Sequence, residues 1–377
     1  MARAAVLALR RRHPALPGRG SGHAGNADGH RRRTAQGRTR PSGPAGRHPA
    51  APRPRHGPPA HTHPGSRPMP LTSDRRSRRA RDLYRVHRLE FPFPIAYLCH
   101  ALWGAGFAAT SPQQLAHPLV LLAVLANLIP LIAQNVLNAA MDIPIDARTP
   151  GKTGVAQAAL RLGRTRLITI ASIEMAIALL LAVSISLHLG RPLIAAAVAA
   201  GILVEYLYNL EPVRLKKRGL ANPISLGLHF SLLPCLSTFT AVRPDIPGWA
   251  WPLFLGLWLL LIGRTLWWSL PDAAADRAAG LAPPAVRHGP SRALAYATAA
   301  TTAALALIAW GLSWALGPLA AVIGTAGCSV FLIGKLRLTR AALHTLHETH
   351  MRRHTLAYVV GADALLVLLP LVDRHSV

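Results

Sequence analysis

The stretch that decides the fold is "PLVLLAVLANLIPLIAQNVLNAAMDIPID", residues 118–146. Its first part is apolar enough to cross a bilayer as a helix, which takes about 20 residues. Its end is different, because Asn138, Asp142 and Asp146 follow one another at intervals of four residues. On a helix that spacing stacks the three side chains on one face. Carboxylates at membrane depth are costly and usually functional, so a functional role is the first hypothesis for them.

Similar apolar stretches recur along the rest of the chain. Long runs without alternation favour membrane helices over strands. The sequence therefore predicts an all-α, polytopic membrane protein with a bundle of nine transmembrane helices. The predicted segments are 94–111, 117–140, 166–188, 192–210, 220–241, 250–271, 292–315, 318–336 and 355–372.

The distribution of charge predicts the orientation in the membrane. The chain has 377 residues, of which 51% are hydrophobic and 15% charged, yet its formal net charge is +27. Outside the N-terminal region, the basic residues concentrate in the loops that follow the even-numbered segments. The positive-inside rule then puts these loops and the N-terminus in the cytoplasm and the C-terminus outside, with the cell (plasma) membrane as the expected location. Anionic membrane lipids explain the basic excess.

The N-terminal region has a different composition from the rest. Residues 1–68 are rich in Arg, Pro and Gly, lack lysine and contain one acid, Asp28. We expect residues 1–84 to be a disordered leader and residues 85–377 to be the membrane domain. Residues 1–68 read best as upstream sequence, with Met69 or a nearby codon as the true start. Because no aromatic residues interleave with the arginines, we expect no nucleic-acid partner.

A second acidic cluster ends the sixth segment. Asp272 and Asp276 lie four residues apart in "SLPDAAADRAAG", residues 269–280. Both clusters are at predicted cytoplasmic helix ends, and basic residues follow both. Four converging carboxylates require a cation, and oxygen ligands favour Mg²⁺, which proteins often hold together with substrate phosphates. The pattern suits ionisation of an allylic diphosphate. The simpler alternative, ordinary acids beyond helix ends, is weakened by the repetition.

Three motifs resemble those of the UbiA superfamily of intramembrane prenyltransferases. The segment "NAAMDIPID", residues 138–146, resembles N-D-x-x-D-x-x-x-D, and residues 269–276 resemble D-x-x-D-x-x-x-D. The loop "YNLEPVRLKKRGLANPISLG", residues 208–227, is similar to the Y-x-x-x-P-x-R-L-K-x-x-G loop of some branches. The resemblance covers about residues 85–372. Ala139 and Ser269 stand where the family has the first aspartate of each motif.

The resemblance implies a site at the cytoplasmic mouth of a nine-helix bundle. It implies Mg²⁺ as the cofactor, with the four aspartates as ligands and catalytic residues: Asp142, Asp146, Asp272 and Asp276. Other polar and basic residues near the motifs are the candidates for binding the diphosphate: Asn138, Arg148, Lys152, Tyr208, Arg214 and Lys216. For the basic residues, membrane topology alone is the alternative explanation. Glu205 lies inside the fourth apolar segment, where it either faces the substrate cavity or bonds another helix.

The expected function is Mg²⁺-dependent transfer of a prenyl group from a polyprenyl diphosphate to a lipophilic acceptor, most often an aromatic ring in this family. One alternative is a UbiA-type terpene cyclase, in which the cation closes on its own double bonds. A less favoured alternative is a non-catalytic membrane transporter with incidental acids. The departures at Ala139 and Ser269 indicate an altered substrate preference, and the alternative is an inactive paralogue. The acceptor, the prenyl chain length and the oligomeric state are left open.

Overall fold

The computed structural model describes residues 71–90, 92–149, 151–342 and 348–373. The expected 1–68 leader lies outside the described residues, so the expectation for it stays a prediction. Within the described ranges the chain is helical and contains no strand.

The helices follow one another with short connections. In the first half of the described chain they are α1 (Leu71–Val86), α2 (Phe93–Ala108), α3 (Pro112–Leu115), α4 (Pro118–Met141), α5 (Ile143–Asp146), α6 (Thr153–Leu162), α7 (Arg164–Leu189) and α8 (Pro192–Asn209). After a 3₁₀ turn (Leu215–Lys217) come α9 (Ala221–Gly227), a π-helical turn (Leu228–Leu232), α10 (Leu233–Val242), α11 (Ala250–Trp268), α12 (Ala273–Ala278), α13 (Pro284–Arg287), α14 (Pro290–Leu316), α15 (Pro318–Ala342) and α16 (Glu348–Asp373).

Each predicted membrane segment coincides with a helical stretch in the described ranges. Six of these stretches are long and apolar enough to cross a membrane: Pro118–Met141, Arg164–Leu189, Pro192–Asn209, Ala221–Val242, Ala250–Trp268 and Pro290–Leu316. Three further apolar helices are shorter: Phe93–Ala108, Pro318–Ser329 and Tyr358–Val372. The all-helical membrane fold is confirmed, while nine as the number of crossings stays a prediction.

The region expected to be a disordered leader contains a helix at its end. Residues 71–84 form most of α1, so helical structure begins before residue 85. Two contacts explain why an arginine-rich helix packs here. Val86 is fully buried against the bundle, and Asp82 accepts two hydrogen bonds from the Arg161 guanidinium, at 2.9 and 2.6 Å. The arginine-rich composition of this region predicted disorder, so the packing of Asp82 and Val86 was not predicted.

Close packing of α11 against α14 positions the helix that carries the second acidic motif. A Cβ at Gly263 would lie 3.0 Å from the Ala297 carbonyl oxygen, and one at Gly256 would lie 2.9 Å from the Ile308 backbone nitrogen. Side chains larger than hydrogen therefore do not fit at these two positions. Membrane helices associate largely through such van der Waals contact between small residues, since lipid is as apolar as the helix surface.

Helices α9 and α10 form one membrane-length rod that a π-helical turn interrupts. The turn spans Leu228–Leu232, and prolines lie on either side at Pro223 and Pro234. A π turn adds a residue to the helical repeat and is frequent at functional sites, because it re-aims the side chains next to it. Here it carries His229, which is buried inside the bundle.

Candidate active site

The first acidic motif lies where α4 ends and the single turn α5 begins. Pro144 has no N–H to donate to the preceding turn, which interrupts the helix after Met141. Asp142 caps α4, and its backbone N–H donates to the Asn138 carbonyl oxygen at 2.9 Å. The Asp146 N–H donates to the Asp142 carbonyl oxygen at 2.8 Å. The two acids are thus held one turn apart, with 1% and 4% of their surface exposed.

The second acidic motif follows the end of α11 at Trp268. The Ser269 hydroxyl donates to the Leu266 carbonyl oxygen at 2.7 Å, so its proton is engaged by the helix end. Asp272 precedes α12, and the Asp276 backbone N–H donates to its carbonyl oxygen at 2.8 Å. The Asp272 side chain is 29% exposed. This motif is therefore more accessible than the first.

The loop after α8 brings two cations to the first motif. Arg214 Nη2 lies 3.3 Å from Asp142 Oδ1, and Lys216 Nζ contacts Asp142 Oδ2. Lys216 also donates to Asn138 Oδ1 at 3.1 Å. Arg214 has a φ of 34°, in the left-handed region that non-glycine residues rarely adopt. Such conformations persist only where surrounding contacts hold them, and they cluster at functional sites.

A single lysine links the two acidic motifs. Lys152 follows the first motif in the chain, and its Nζ lies 2.9 Å from Asp272 Oδ2 in the second. The lysine side chain is only 17% exposed, which places the contact inside the mouth of the site and not on the open surface. The structure thus brings together motifs that are far apart in the sequence.

Burial and neighbouring charges raise the pKa of two carboxylates at the site. The pKa of Asp276 is raised to about 6, first by burial and then by the charge of Asp272, although Lys216 and Lys152 oppose the shift. Burial also raises the pKa of Asp146, against the opposing charge of Lys152. The pKa of an unperturbed aspartate is about 3.9. The lysines therefore neutralise the carboxylates incompletely, and a bound cation would favour their ionised form.

The residues at the site suit a hard cation. Asp146 Oδ2 is buried, and it has no hydrogen-bond partner within the described part of the chain. Carboxylate and amide oxygens are the ligands that Mg²⁺ prefers, commonly one or two carboxylates together with substrate phosphates. Among the described residues, no three His, Cys, Asp or Glu side chains are close enough to hold one ion by themselves. The donor set thus fits a metal that the substrate helps to coordinate.

Two further predicted diphosphate-binding residues, Arg148 and Tyr208, form no ion pair with the acids among the described residues. Arg148 is exposed and pairs with none of the acids in the described part of the chain, so its role as a diphosphate ligand stays a prediction. Tyr208 is buried at the end of α8 with 6% of its surface exposed. Lys217 lies 2.5 Å from Glu211 within the loop, which agrees with a topological role for that lysine.

Sequence reasoning did not identify Arg88 as part of the site. It follows α1 with a left-handed φ of 51°, and its charge opposes the rise that burial causes in the pKa of Asp146. A cavity of about 170 Å³ lies beside it, with Gly151 and Gly154 in its wall. A lone arginine in a basic region carries no sequence signal that separates it from its neighbours.

A polar cluster of Glu205, Asn209 and His229 lies inside the bundle, and only Glu205 was noticed from the sequence. Glu205, noticed as an acid in an apolar segment, accepts a hydrogen bond from Asn209 Nδ2 on the next turn of α8. His229 faces Glu205 from the π-helical turn. A lone histidine in an apolar run is usually a core residue, and no sequence pattern marked the π turn.

Comparison with protein families gives a match over most of the chain. The sequence model of the UbiA prenyltransferase family matches residues 97–356. A lycopene elongase/hydratase from Halobacterium salinarum is 33% identical over 100 residues, which are 26% of this chain and 34% of the relative. The match thus covers about a third of that relative's length.

Solved structures share the fold. A UbiA homologue from Archaeoglobus fulgidus bound to GPP and Mg²⁺ superposes with a TM-score of 0.59 at 18% identity, covering 78% of this chain and all of the homologue. A digeranylgeranylglyceryl phosphate synthase superposes with a TM-score of 0.52 at 17% identity, over 79% of this chain and 99% of that protein. Identities this low support the fold alone.

Proposed function

The chain belongs to the UbiA prenyltransferase family, and on that premise we propose that it catalyses Mg²⁺-dependent prenyl transfer inside the membrane. The donor is a polyprenyl diphosphate, and the acceptor is a lipophilic molecule for which an aromatic ring is the first candidate. The observation that carries the proposal is the contact of Lys152 with Asp272 at 2.9 Å, which joins the two acidic motifs in one site. The A. fulgidus homologue of similar fold was solved with GPP and Mg²⁺.

The four aspartates are the proposed metal ligands: Asp142, Asp146, Asp272 and Asp276. When bound, Mg²⁺ supplies positive charge that stabilises the leaving diphosphate. The unpartnered Asp146 Oδ2 and the raised pKa of Asp276 support this assignment, because both belong to buried carboxylates whose ionised form a bound cation would stabilise. Asn138 offers an amide oxygen beside them.

The basic side chains are the proposed diphosphate ligands. Lys152, Lys216 and Arg214 lie against the carboxylates of the two acidic motifs. When metal neutralises the carboxylates, these cations are available to the phosphate oxygens of the substrate. They hold the leaving group while its C–O bond breaks, and the apolar helices enclose the isoprenoid tail.

The two departures from the family motifs have different consequences. Ala139 is 2% exposed and provides no polar atom. The Ser269 hydroxyl donates its hydrogen bond to the Leu266 carbonyl oxygen, so its own oxygen remains available as an uncharged acceptor. The site therefore has two fewer carboxylates than the family motifs but retains the four proposed metal ligands. We propose that it is active with an altered substrate preference.

A non-aromatic acceptor is the second candidate. The relative that is 33% identical over 100 residues is named for lycopene, which favours an alkene as the nucleophile. Cyclisation of the prenyl cation onto its own double bonds uses the same chemistry and also fits the site. Dependence on an added acceptor separates transfer from cyclisation.

The chain is an integral membrane protein, with six apolar helices that are long enough to span a bilayer among its described residues. We propose that the acidic motifs face the cytoplasm and that the membrane is the plasma membrane. The basic residues that flank the motifs support this orientation through the positive-inside rule. Labelling single cysteines placed at Arg148 and Arg243 from one side of intact cells tests it, since these residues lie in loops expected on opposite sides.

Diphosphate release from a panel of substrates tests the proposed activity. The purified full chain is supplied with Mg²⁺ and with geranyl, farnesyl or geranylgeranyl diphosphate, with and without phenols, naphthoates, quinols or lycopene. We expect release of inorganic diphosphate and a prenylated or cyclised product by mass spectrometry. The absence of diphosphate release with every substrate contradicts the proposal.

Matched substitutions test the assignment of the acids. Asp142→Asn and Asp272→Asn should each lower turnover at least about 100-fold, since a lost electrostatic group commonly costs that much. Asp245→Asn is the control, because Asp245 is 70% exposed and lies in a different loop. Equal turnover in Asp142→Asn and the control excludes Asp142 as a metal ligand.

A further inference from the structure

A pair of unsatisfied polar atoms lies inside the bundle, apart from the acidic motifs. Glu205 and His229 are 0% and 2% exposed. Glu205 Oε2 and His229 Nε2 face each other at 3.9 Å, and neither has a hydrogen-bond partner among the residues that the structure describes. Buried polar atoms normally have partners, so the two opposing atoms need a chemical explanation.

The hydrogen bonds around the pair define where a proton is missing. His229 Nδ1 lies 3.1 Å from the Gly201 carbonyl oxygen, which only accepts, so Nδ1 carries the proton of a neutral imidazole. His229 Nε2 is then an acceptor. Asn209 Nδ2 donates to Glu205 Oε1, which leaves Oε2 as the free carboxylate oxygen. Two acceptors face each other, and one added proton converts their contact into a hydrogen bond.

Adding that proton also removes charge from the bundle. An ionised Glu205 beside a neutral imidazole carries one negative charge in a region where buried charge is costly. One proton shared between Glu205 and His229 makes the pair neutral overall. The pair therefore binds a proton strongly, and it acts as an acceptor in its ionised form, which requires that the proton is released again before the next turnover.

Glu205 lies near the end of α8 from which the basic loop reaches the first acidic motif. Glu205 is about one turn from Tyr208 and Asn209, or roughly 6 Å along the helix axis, at the end of α8 that leads into the basic loop. Lys216 of that loop contacts Asp142 and lies close enough to interact electrostatically with Glu205. A diphosphate held at the motifs would direct its allylic carbon into the bundle toward this depth.

We propose that Glu205 and His229 together accept the proton that is lost when the prenyl cation is quenched, an inference that rests on the proposed function. The allylic C–O bond breaks, and the diphosphate leaves with both electrons. The allylic carbon forms a bond to a carbon of the acceptor or of its own chain, using a π electron pair. A C–H bond next to the new cation then breaks, its electrons restore the double bond, and its proton goes to Glu205 Oε2, where it is shared with His229 Nε2.

The test measures how the cation is quenched. Wild type and Glu205→Gln are compared with Mg²⁺ and whichever of geranyl, farnesyl or geranylgeranyl diphosphate the wild type turns over, with its acceptor where one is used. Released diphosphate and organic products are both quantified. We expect Glu205→Gln to keep diphosphate release within about threefold, while the product of proton loss falls about 100-fold and prenyl alcohol from water capture rises.

Two further variants separate proton transfer from structure. His229→Asn retains a donor for the Gly201 carbonyl and lacks the nitrogen that faces Glu205, so it should shift products in the same direction. Glu174→Gln is the matched control, because Glu174 also contacts a histidine, His87, at 2.9 Å, but lies outside the proposed site. It should leave the ratio of proton-loss product to alcohol unchanged.

The outcomes are distinguishable from failure of the proposed function. If the wild type releases no diphosphate, the prenyltransferase proposal itself is contradicted. If the wild type is active and Glu205→Gln gives the wild-type product ratio, the proton-acceptor inference is overturned. The same conclusion follows if Glu205→Gln and His229→Asn lose diphosphate release and product equally, since the pair then supports folding or ionisation instead.

Discussion

Lys152 Nζ lies 2.9 Å from Asp272 Oδ2, across a sequence separation of 120 residues. Each residue belongs to a different acidic motif region, so this contact defines the site as one unit. Lys152→Ala should raise the KM for the prenyl diphosphate about tenfold or more, because a charge-assisted hydrogen bond contributes about 1.5–3 kcal/mol.

The control for Lys152 is Lys217→Ala, which removes a lysine that pairs with Glu211 in the loop after α8. Steady-state diphosphate release over a range of substrate concentrations measures both variants. A KM for Lys152→Ala that equals that of Lys217→Ala would mean that Lys152 does not contact the substrate.

Restoring the family acid at the second motif should strengthen metal binding. Ser269→Asp adds a carboxylate one turn before Asp272, and the Mg²⁺ concentration for half-maximal turnover should fall several-fold. Ser269→Ala removes only the hydrogen bond to Leu266 and should change this concentration little. A magnesium titration at fixed substrate measures both, and a higher magnesium requirement in Ser269→Asp argues against a metal at this position.

Helix α1 should contribute stability in a pH-dependent way through Asp82. The hydrogen bond from Arg161 lowers the pKa of Asp82, against an opposing effect of burial. Because its pKa is lower in the folded state, its contribution is present above the unfolded value of about 3.9 and is lost as pH falls through the folded value.

Thermal unfolding of detergent-solubilised protein tests this. Asp82→Asn should lower the Tm by a few degrees at pH 7, and the difference from wild type should shrink below about pH 4. A difference that stays constant down to the lowest pH would mean that ionisation of Asp82 is not involved.

Adding one methyl group where α11 packs against α14 should destabilise the protein. At Gly263, a Cβ would lie 3.0 Å from a backbone oxygen, so Gly263→Ala should lower stability by about 1–3 kcal/mol through overpacking. Gly361→Ala is the control, because a Cβ there meets nothing within 4 Å and alanine favours the helix. Chemical denaturation should therefore show a lower free energy of unfolding for Gly263→Ala, and an equal or higher one for Gly361→Ala, relative to the wild type.

The sequence predicted the helical membrane fold, because apolar length is a property of each segment alone. It also predicted the acids, since their four-residue spacing repeats at the ends of two segments. The contact between Lys152 and Asp272 could not be predicted as a pair, because basic residues follow both motifs and topology alone explains basic residues at these loops.

Other features depended on tertiary structure that no local pattern encodes. Helix α1 was missed because its arginines dominate the composition, while its anchors are the two positions Asp82 and Val86. His229 was missed because its role depends on a π turn and on Glu205 of another helix. The expected contribution of Arg148 stays a prediction, since its exposed side chain pairs with none of the acids among the described residues.

The pairing of Lys216 and Arg214 with Asp142 also has a consequence for the end of the proposed catalytic cycle. If the chain releases diphosphate as proposed, Asp142 is placed to pair with these cations again once the anion has left. Contacts that reform within the protein would thereby assist product dissociation. An enzyme that must expel a strongly bound dianion or trianion from a buried mouth benefits from such an internal replacement.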